Sequence, residues 1–476
     1  MSTSLFKRQC TNTFFFGATA IFTKGIWLIA MPTILNKLTV HDVGVFDFYQ
    51  SIFLIGSLMI SSLTAQPLLR FYLKHRNEPD LQRATIGASS VIIALCTALC
   101  FVFAALTFAR YSFCGDCYYV MFLFVNAGLF ACFSCATSFY QIRERIQEYV
   151  LLYSAQSILA LALVFTGLRL GYGMPVLFWA NSISYLLCMP ALRVFFTHIR
   201  LCDTRAVYEQ LVFGMPLFAY NILYMLLFAV DRWYLAATQG YEIVGVYAIL
   251  WYFGRIFVYG TLALYEASPI LLYNVQHEHD GNRIIARTIK YITLAYVTGA
   301  LMVTPCAYIL LSQFLPAYKH LICYVPLFIT PLLFIETGKF WQAGFNLATQ
   351  TKHIPFITLS TLLLQLGGLY FLGQWGLVGV LYANGFAFMC YALMNAVGSA
   401  YIYDKMLFDV RELGTMFVLY GIYTLFFWYA LSTPFPIVCF FVGAFTWPIV
   451  LWFSGVLSAD EKVYILQIFK KMLPVA

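Results

Sequence analysis

The chain has 476 residues, of which 62% are hydrophobic and 10% charged, with a formal net charge of +8. A soluble domain carries about 25% charged and about 45–50% apolar residues, and the apolar excess here runs the whole length, so a soluble domain of any size is excluded. A hydrocarbon core of about 30 Å takes roughly 20 apolar residues per helix, and backbone in lipid must satisfy its own hydrogen bonds, which leaves helices or closed barrels. The apolar runs are continuous and not alternating, so they predict helices.

The first run follows Lys7 and Arg8 in MSTSLFKRQCTNTFFFGATAIF. Basic residues ahead of an apolar run also open a signal peptide. This run continues to about Leu35 with no small-residue cleavage motif before it, so it reads as a retained first span. Charged or Pro/Gly punctuation then gives about fourteen spans, near 12–35, 43–66, 84–108, 117–140, 148–168, 173–196, 208–231, 243–272, 288–312, 321–347, 354–373, 377–400, 412–431 and 435–457. Beyond them, SADEKVYILQIFKKML sets Ser458 and Glu461 at capping-box spacing and Val463, Leu466 and Phe469 at helical spacing, which predicts a short interfacial helix.

Alternate loops hold 20 of the 28 basic residues, among them Arg70, Lys74, Arg76 and Arg83, then Arg283, Arg287 and Lys290. The opposite loops hold Lys37, Arg110, Arg169, Arg232 and Lys319. The positive-inside rule then places both termini in the cytoplasm. Basic loops facing anionic headgroups explain the net charge without any nucleic acid. Most of the 13 cysteines, such as Cys96, Cys100, Cys132, Cys135 and Cys390, sit inside apolar runs and act as small hydrophobes. Cys114 and Cys117 lie in the loop CGDC, as a redox or disulfide pair or as two chance neighbours. HEHD at 277–280 could bind a metal but reads better as a solvated turn beside Gly281, so no metal site is assigned. TGKF at 337–340 lacks the rest of a nucleotide-cradling loop, so no cofactor is expected and any energy comes from a proton or sodium gradient or from substrate flux.

The chain repeats itself. HDVGVF at 41–46 returns as YEIVGVY at 241–247, with Val43 and Val244 201 residues apart. LFWANSISYLLCMPAL at 177–192 resembles VLYANGFAFMCYALMN at 380–395, and FG at Phe16–Gly17 answers FG at Phe213–Gly214. The unit is six helices, and an even count returns the second copy to the same orientation, so the copies are expected to be related by an axis along the membrane normal. This predicts an all-α membrane protein with a six-helix lobe at 1–200, a second at 201–405, and two extra helices with the tail at 406–476. Each VGV glycine is expected to let the chain turn tightly at the membrane surface.

The opening FFFGATAIFTKGIWLIAMPTILNKLTVHDVGVFDFYQS, LLRFY at 68–72 and DRWYLAATQGYEIVGVYAI at 231–249 resemble signatures of Wzx-type polysaccharide flippases. These belong to the multidrug/oligosaccharidyl-lipid/polysaccharide superfamily. The likeness covers the span pattern of about 1–457; VHDVG departs from it, since an acidic and an aromatic residue usually precede that glycine. The resemblance implies translocation of an undecaprenyl-diphosphate-linked oligosaccharide from the inner to the outer leaflet of a bacterial inner membrane, beside a polysaccharide polymerase and chain-length proteins. It implies no enzyme activity. A drug or cation exporter of the same superfamily is the alternative. A membrane polymerase is less favoured, because the outside loops reach only about ten residues.

Charges inside spans point to a site, because each cation at mid-bilayer costs about 2.5–3.5 kcal/mol on insertion scales. Lys24 lies in the first span, Arg255 in the eighth, and Glu336 and Lys339 in the tenth. Glu336 and Lys339 are spaced to neutralise each other on one helix face. Arg255 shares a stripe with Tyr252 and Tyr259, and Glu266 continues it three turns on. Asp231, beside Arg232, reads as an interfacial anchor, with a coupling carboxylate as the other reading. Lys24, Arg255, Lys339, Tyr252 and Tyr259 are thus the candidate substrate-binding residues, and Asp231, Glu266 and Glu336 the candidate coupling carboxylates.

Overall fold

The computed structural model describes residues 19, 22–27, 29–75, 77–111, 117–143, 145–193, 203–275, 281–348, 350, 352–403 and 409–463. Among the described residues fourteen apolar helices follow one another: α1 (Phe22–Leu35), α2 (Val40–Lys74), α3 (Pro79–Tyr111), α4 (Cys117–Ile142), α5 (Ile146–Arg169), α6 (Pro175–Cys188), α7 (Thr204–Gln239) and α8 (Tyr241–Val275). Then come α9 (Gly281–Phe314), α10 (Val325–Trp341), α11 (His353–Leu372), α12 (Leu377–Tyr403), α13 (Val410–Ala430) and α14 (Pro436–Phe453). Among the described residues twelve helices are long and apolar enough to cross a membrane, and α1 and α6 are shorter apolar helices. They match the fourteen expected spans one for one, and the chain is an all-α multi-pass membrane protein.

Several helices outrun the predicted spans. α7 has 36 residues, about 54 Å at 1.5 Å per residue, against a core of about 30 Å. Nothing in RWYLAATQ (232–239) breaks the helix until Gly240, whose φ of 85° suits glycine alone. Arg232 is therefore a helix residue, not the loop residue its position at the predicted span edge suggested.

Contacts divide the chain into two compact units, 1–249 with 355–383, and 250–354 with 384–476. Compactness and the sequence repeat thus divide the chain differently, since the first unit takes helices from both copies.

In the first unit, α2 runs antiparallel along α7. The seam is held by Trp233 Nε1 donating to Ser51 Oγ at 3.0 Å, Asn221 Nδ2 to Ser62 Oγ at 2.6 Å, and the Arg70 guanidinium over the Phe213 ring at 4.3 Å. Gln210 of the same helix donates to the Thr85 carbonyl of α3 at 2.8 Å. Buried polar side chains in spans tend to find such partners across helices. The apolar core includes Leu68, Ile86, Ile93, Phe133 and Phe139, with Cys132 and Cys135 packed among them as small hydrophobes. The Cys114–Cys117 pairing and the HEHD turn fall outside the described residues.

The repeated glycines do something other than turn the chain. α2 opens with a capping box, in which Asp42 N donates to Thr39 Oγ1 at 3.1 Å and Thr39 N to Asp42 Oδ2 at 3.2 Å. Gly44 and Gly245 lie past the starts of α2 and α8, inside the helices. A methyl at Gly44 would land on the Tyr241 carbonyl, and one at Gly245 on the Val40 carbonyl. The glycines let two helix backbones cross in contact.

In the second unit, α9 packs on α10, α13 and α14. Trp447 Nε1 donates to Thr298 Oγ1 at 3.1 Å, and the Thr330 and Tyr420 hydroxyls meet at 2.9 Å. Gly338 brings α10 close to Tyr391 of α12. The expected capping box is present: Ser458 N donates to Glu461 Oε2 at 2.8 Å, and Glu461 N to Ser458 Oγ at 3.4 Å. Leu466 and Phe469 lie outside the described residues.

Candidate functional site

Among the described residues, buried charges lie at Asp47, Asp231 and Arg232 in the first unit and at Lys290, Glu336 and Glu461 in the second. In the first unit the Gly44–Gly245 crossing sets one turn of α2 against the end of α7 and the start of α8. Asp47 follows Gly44 by three residues, on the same helix face. Arg232 Nε donates to Asp47 Oδ2 at 2.6 Å, and its Nη1 lies 3.4 Å from Asp231 Oδ1. The same Nη1 donates to the Phe228 carbonyl, and the Tyr247 hydroxyl donates to Asp231 Oδ2. The guanidinium also lies over the Tyr247 ring, 5.4 Å from its centroid. Side-chain exposure is 7% for Arg232, 6% for Asp47 and 2% for Asp231. Asp231 and Arg232 are therefore buried charges, paired within the protein. Taking such charges from water costs several kcal/mol each, offset only by close, well-formed ion pairs.

In the second unit Lys339 Nζ pairs with Glu336 Oε1 at 2.6 Å, as the spacing predicted. Thr261 Oγ1 lies 3.4 Å from Glu336 Oε2, and the Tyr296 hydroxyl donates to the Thr261 carbonyl at 3.1 Å. Tyr252 is buried, while Arg255 and Tyr259 are half-buried on the same face of α8. The side chain of Glu266 lies outside the described residues. Lys24 is half-buried on α1 in the first unit. Among the described residues no group of three or more His, Cys, Asp or Glu is placed to hold a metal ion.

No family model matches the chain, and no curated protein matches it by sequence. Solved structures do. The lipid II flippase MurJ in an inward closed conformation superposes with TM-score 0.65 at 13% identity, covering 92% of this chain and 97% of its own. An inward-facing multidrug resistance MATE family transporter of the MOP superfamily gives 0.62 at 13%, covering 82% and 96%. A MOP superfamily transporter from Pyrococcus furiosus, described by the reverse polarity of its binding pocket, gives 0.55 at 15%, covering 82% and 94%. This chain has the MOP fold.

The MOP fold has two lobes of six helices, in agreement with the six-helix repeat, and leaves α13 and α14 as additions. On that fold the sequence reading brought Glu336 and Lys339 together correctly. It missed Asp47 and Tyr247. Asp47 lay inside the expected span 43–66 and belonged among the intramembrane charges on that ground alone. Tyr247 carried no such signal, because its partner is 16 residues away on another helix.

Proposed function

We propose that the chain moves an undecaprenyl-diphosphate-linked oligosaccharide from the inner to the outer leaflet of a bacterial inner membrane. The observation that carries this reading is the reach of the MurJ likeness, 92% of this chain against 82% for the MATE transporter. The chemistry agrees. A diphosphate crossing the bilayer needs positive charge, because low dielectric magnifies each uncompensated charge. Lys24 and Arg255 supply it, Arg with two parallel hydrogen bonds and Lys as a mobile point charge. A proton or sodium gradient or substrate flux drives the cycle, and polymerase and chain-length proteins take the product onward.

The buried carboxylates favour a second reading, a cation exporter. Against it, Asp47 and Asp231 are engaged by Arg232, and Glu336 by Lys339. A strain without this protein decides between them. The flippase reading expects lipid-linked oligosaccharide to be synthesised and held on the cytoplasmic leaflet. Normal amounts on the outer leaflet, with new sensitivity to cationic dyes, would establish the exporter.

A further inference from the structure

The Gly44–Gly245 crossing is reciprocal. Gly44 is seated on the carbonyl of residue 241 and Gly245 on that of residue 40, and both pairs of equivalents are 201 residues apart. Such an exchange of contacts is what a two-fold axis produces, so the axis relating the two copies passes between these glycines.

The charges beside the crossing ignore that symmetry. The counterpart of Asp47 on α8 is Ala248, and that of Tyr247 on α2 is Phe46. The stretch of α1 corresponding to Asp231 and Arg232 has no charged residue anywhere from Gly25 to Asn36. One copy of this corner is thus built from apolar residues and the other from ions. The crossing itself does not require the ions. Replacing a buried ion pair by apolar residues of similar volume is commonly neutral or stabilising, and the best-attested use of such a pair is to set a register or a switch.

We infer that Asp47, Asp231 and Arg232 form a conformational latch. It fastens α2, from the first copy of the repeat, to α7 and α8, from the second, and lets go when the copies move apart. The latch rests on the transport reading for its purpose, but its test needs no substrate.

The test writes the apolar corner into the ionic one, as Asp47→Ala with Asp231→Ala and Arg232→Met. Ser51→Cys reports on the seam, because Ser51 is buried one turn beyond Asp47 and accepts from Trp233 across it. Purified protein in lipid nanodiscs is treated with a water-soluble methanethiosulfonate, and the peptide carrying residue 51 is followed by mass spectrometry. With the latch removed, the thiol introduced at position 51 should react at least ten times faster while the protein stays folded and membrane-inserted. Reaction at the unmodified rate in a folded variant would mean the ions are only structural. Failure of the triple variant to accumulate would mean the corner needs its charges to fold. Either result overturns the latch and leaves the flippase reading standing.

Discussion

Two clusters here share one composition, a cation between two carboxylates, and differ in whether water reaches one of the acids. Arg232 sits between Asp47 and Asp231 where the end of α7 meets the first turns of α2, with every side chain at 7% exposure or less. Lys290 of α9, itself 8% exposed, sits between Glu412 at 3.0 Å and Glu461 at 2.9 Å, close to the starts of α13 and the tail helix, and Glu412 is 26% exposed. That second cluster lines a cavity of about 210 Å³ with Arg283, Arg287, Asp409 and Asp460. Its acids do local work first. Asp409 caps α13 by accepting from Arg411 N at 2.8 Å, and Glu461 closes the tail capping box. Near helix starts, ions follow helix chemistry. The Arg232–Asp47 pair joins two helices and follows tertiary geometry instead.

Deletion of the cation should expose the difference most strongly. Arg232→Ala leaves two carboxylates in the spans without their guanidinium, which should cost about 3–5 kcal/mol. Membrane abundance and thermal unfolding in detergent should both fall, with Arg232→Lys intermediate because the fork geometry is lost. Lys290→Ala should cost less, about 1.5–3 kcal/mol, since Glu412 reaches water. Equal losses would erase the distinction between the clusters.

The cations proposed for substrate should behave differently. Lys24→Ala and Arg255→Ala should abolish export at normal abundance. Lys24→Arg should keep some activity and Arg255→Lys less. Normal export by both alanine variants at wild-type abundance would end the proposal that these cations carry the diphosphate and leave the fold intact.

The glycine crossing allows a finer test. Gly44→Ala and Gly245→Ala each drive a methyl into a carbonyl of the opposing helix, so each should cost about 1–3 kcal/mol. Reciprocity predicts equal losses. It also predicts a double variant less destabilised than their sum, because the first separation of the helices makes room for the second. Strongly unequal losses in melting temperature would remove the two-fold axis from this point.

What could be read from the sequence divides along the same line. The fourteen helices were legible because hydropathy alone specifies a span, and Ser458–Glu461 and Glu336–Lys339 because their partners are three residues apart. The Arg232–Asp47 bond joins residues 185 apart, beyond any local pattern. Arg232 was also misplaced into a loop, because charge beside an apolar run looks like its end. The VGV glycines were legible as a repeat but misread as turns, since helix-crossing and turn glycines look alike without the facing backbone.

The smallest expected effect isolates the ion pair at the tail from the cap that shares its carboxylate. Burial raises the pKa of the Glu461 carboxyl, but the hydrogen bond from Lys290, then those from Ser458 N–H and Tyr291, outweigh it and hold the group below its ordinary value of 4.5. A lowered folded-state value means that stability is fully present above 4.5 and is lost as pH falls below it through the folded value. The tail should thus stay docked from pH 7 to about 5 and loosen only in stronger acid. Gln can close a capping box as Glu does, so Glu461→Gln keeps the cap and loses only the charge offered to Lys290. Hydrogen exchange over 455–463, corrected for intrinsic rates, should show that variant slightly less protected at pH 7, with the response attributable to residue 461 gone. Unchanged loosening below pH 4.5 in that variant would show that Glu461 is not the source of the acid response.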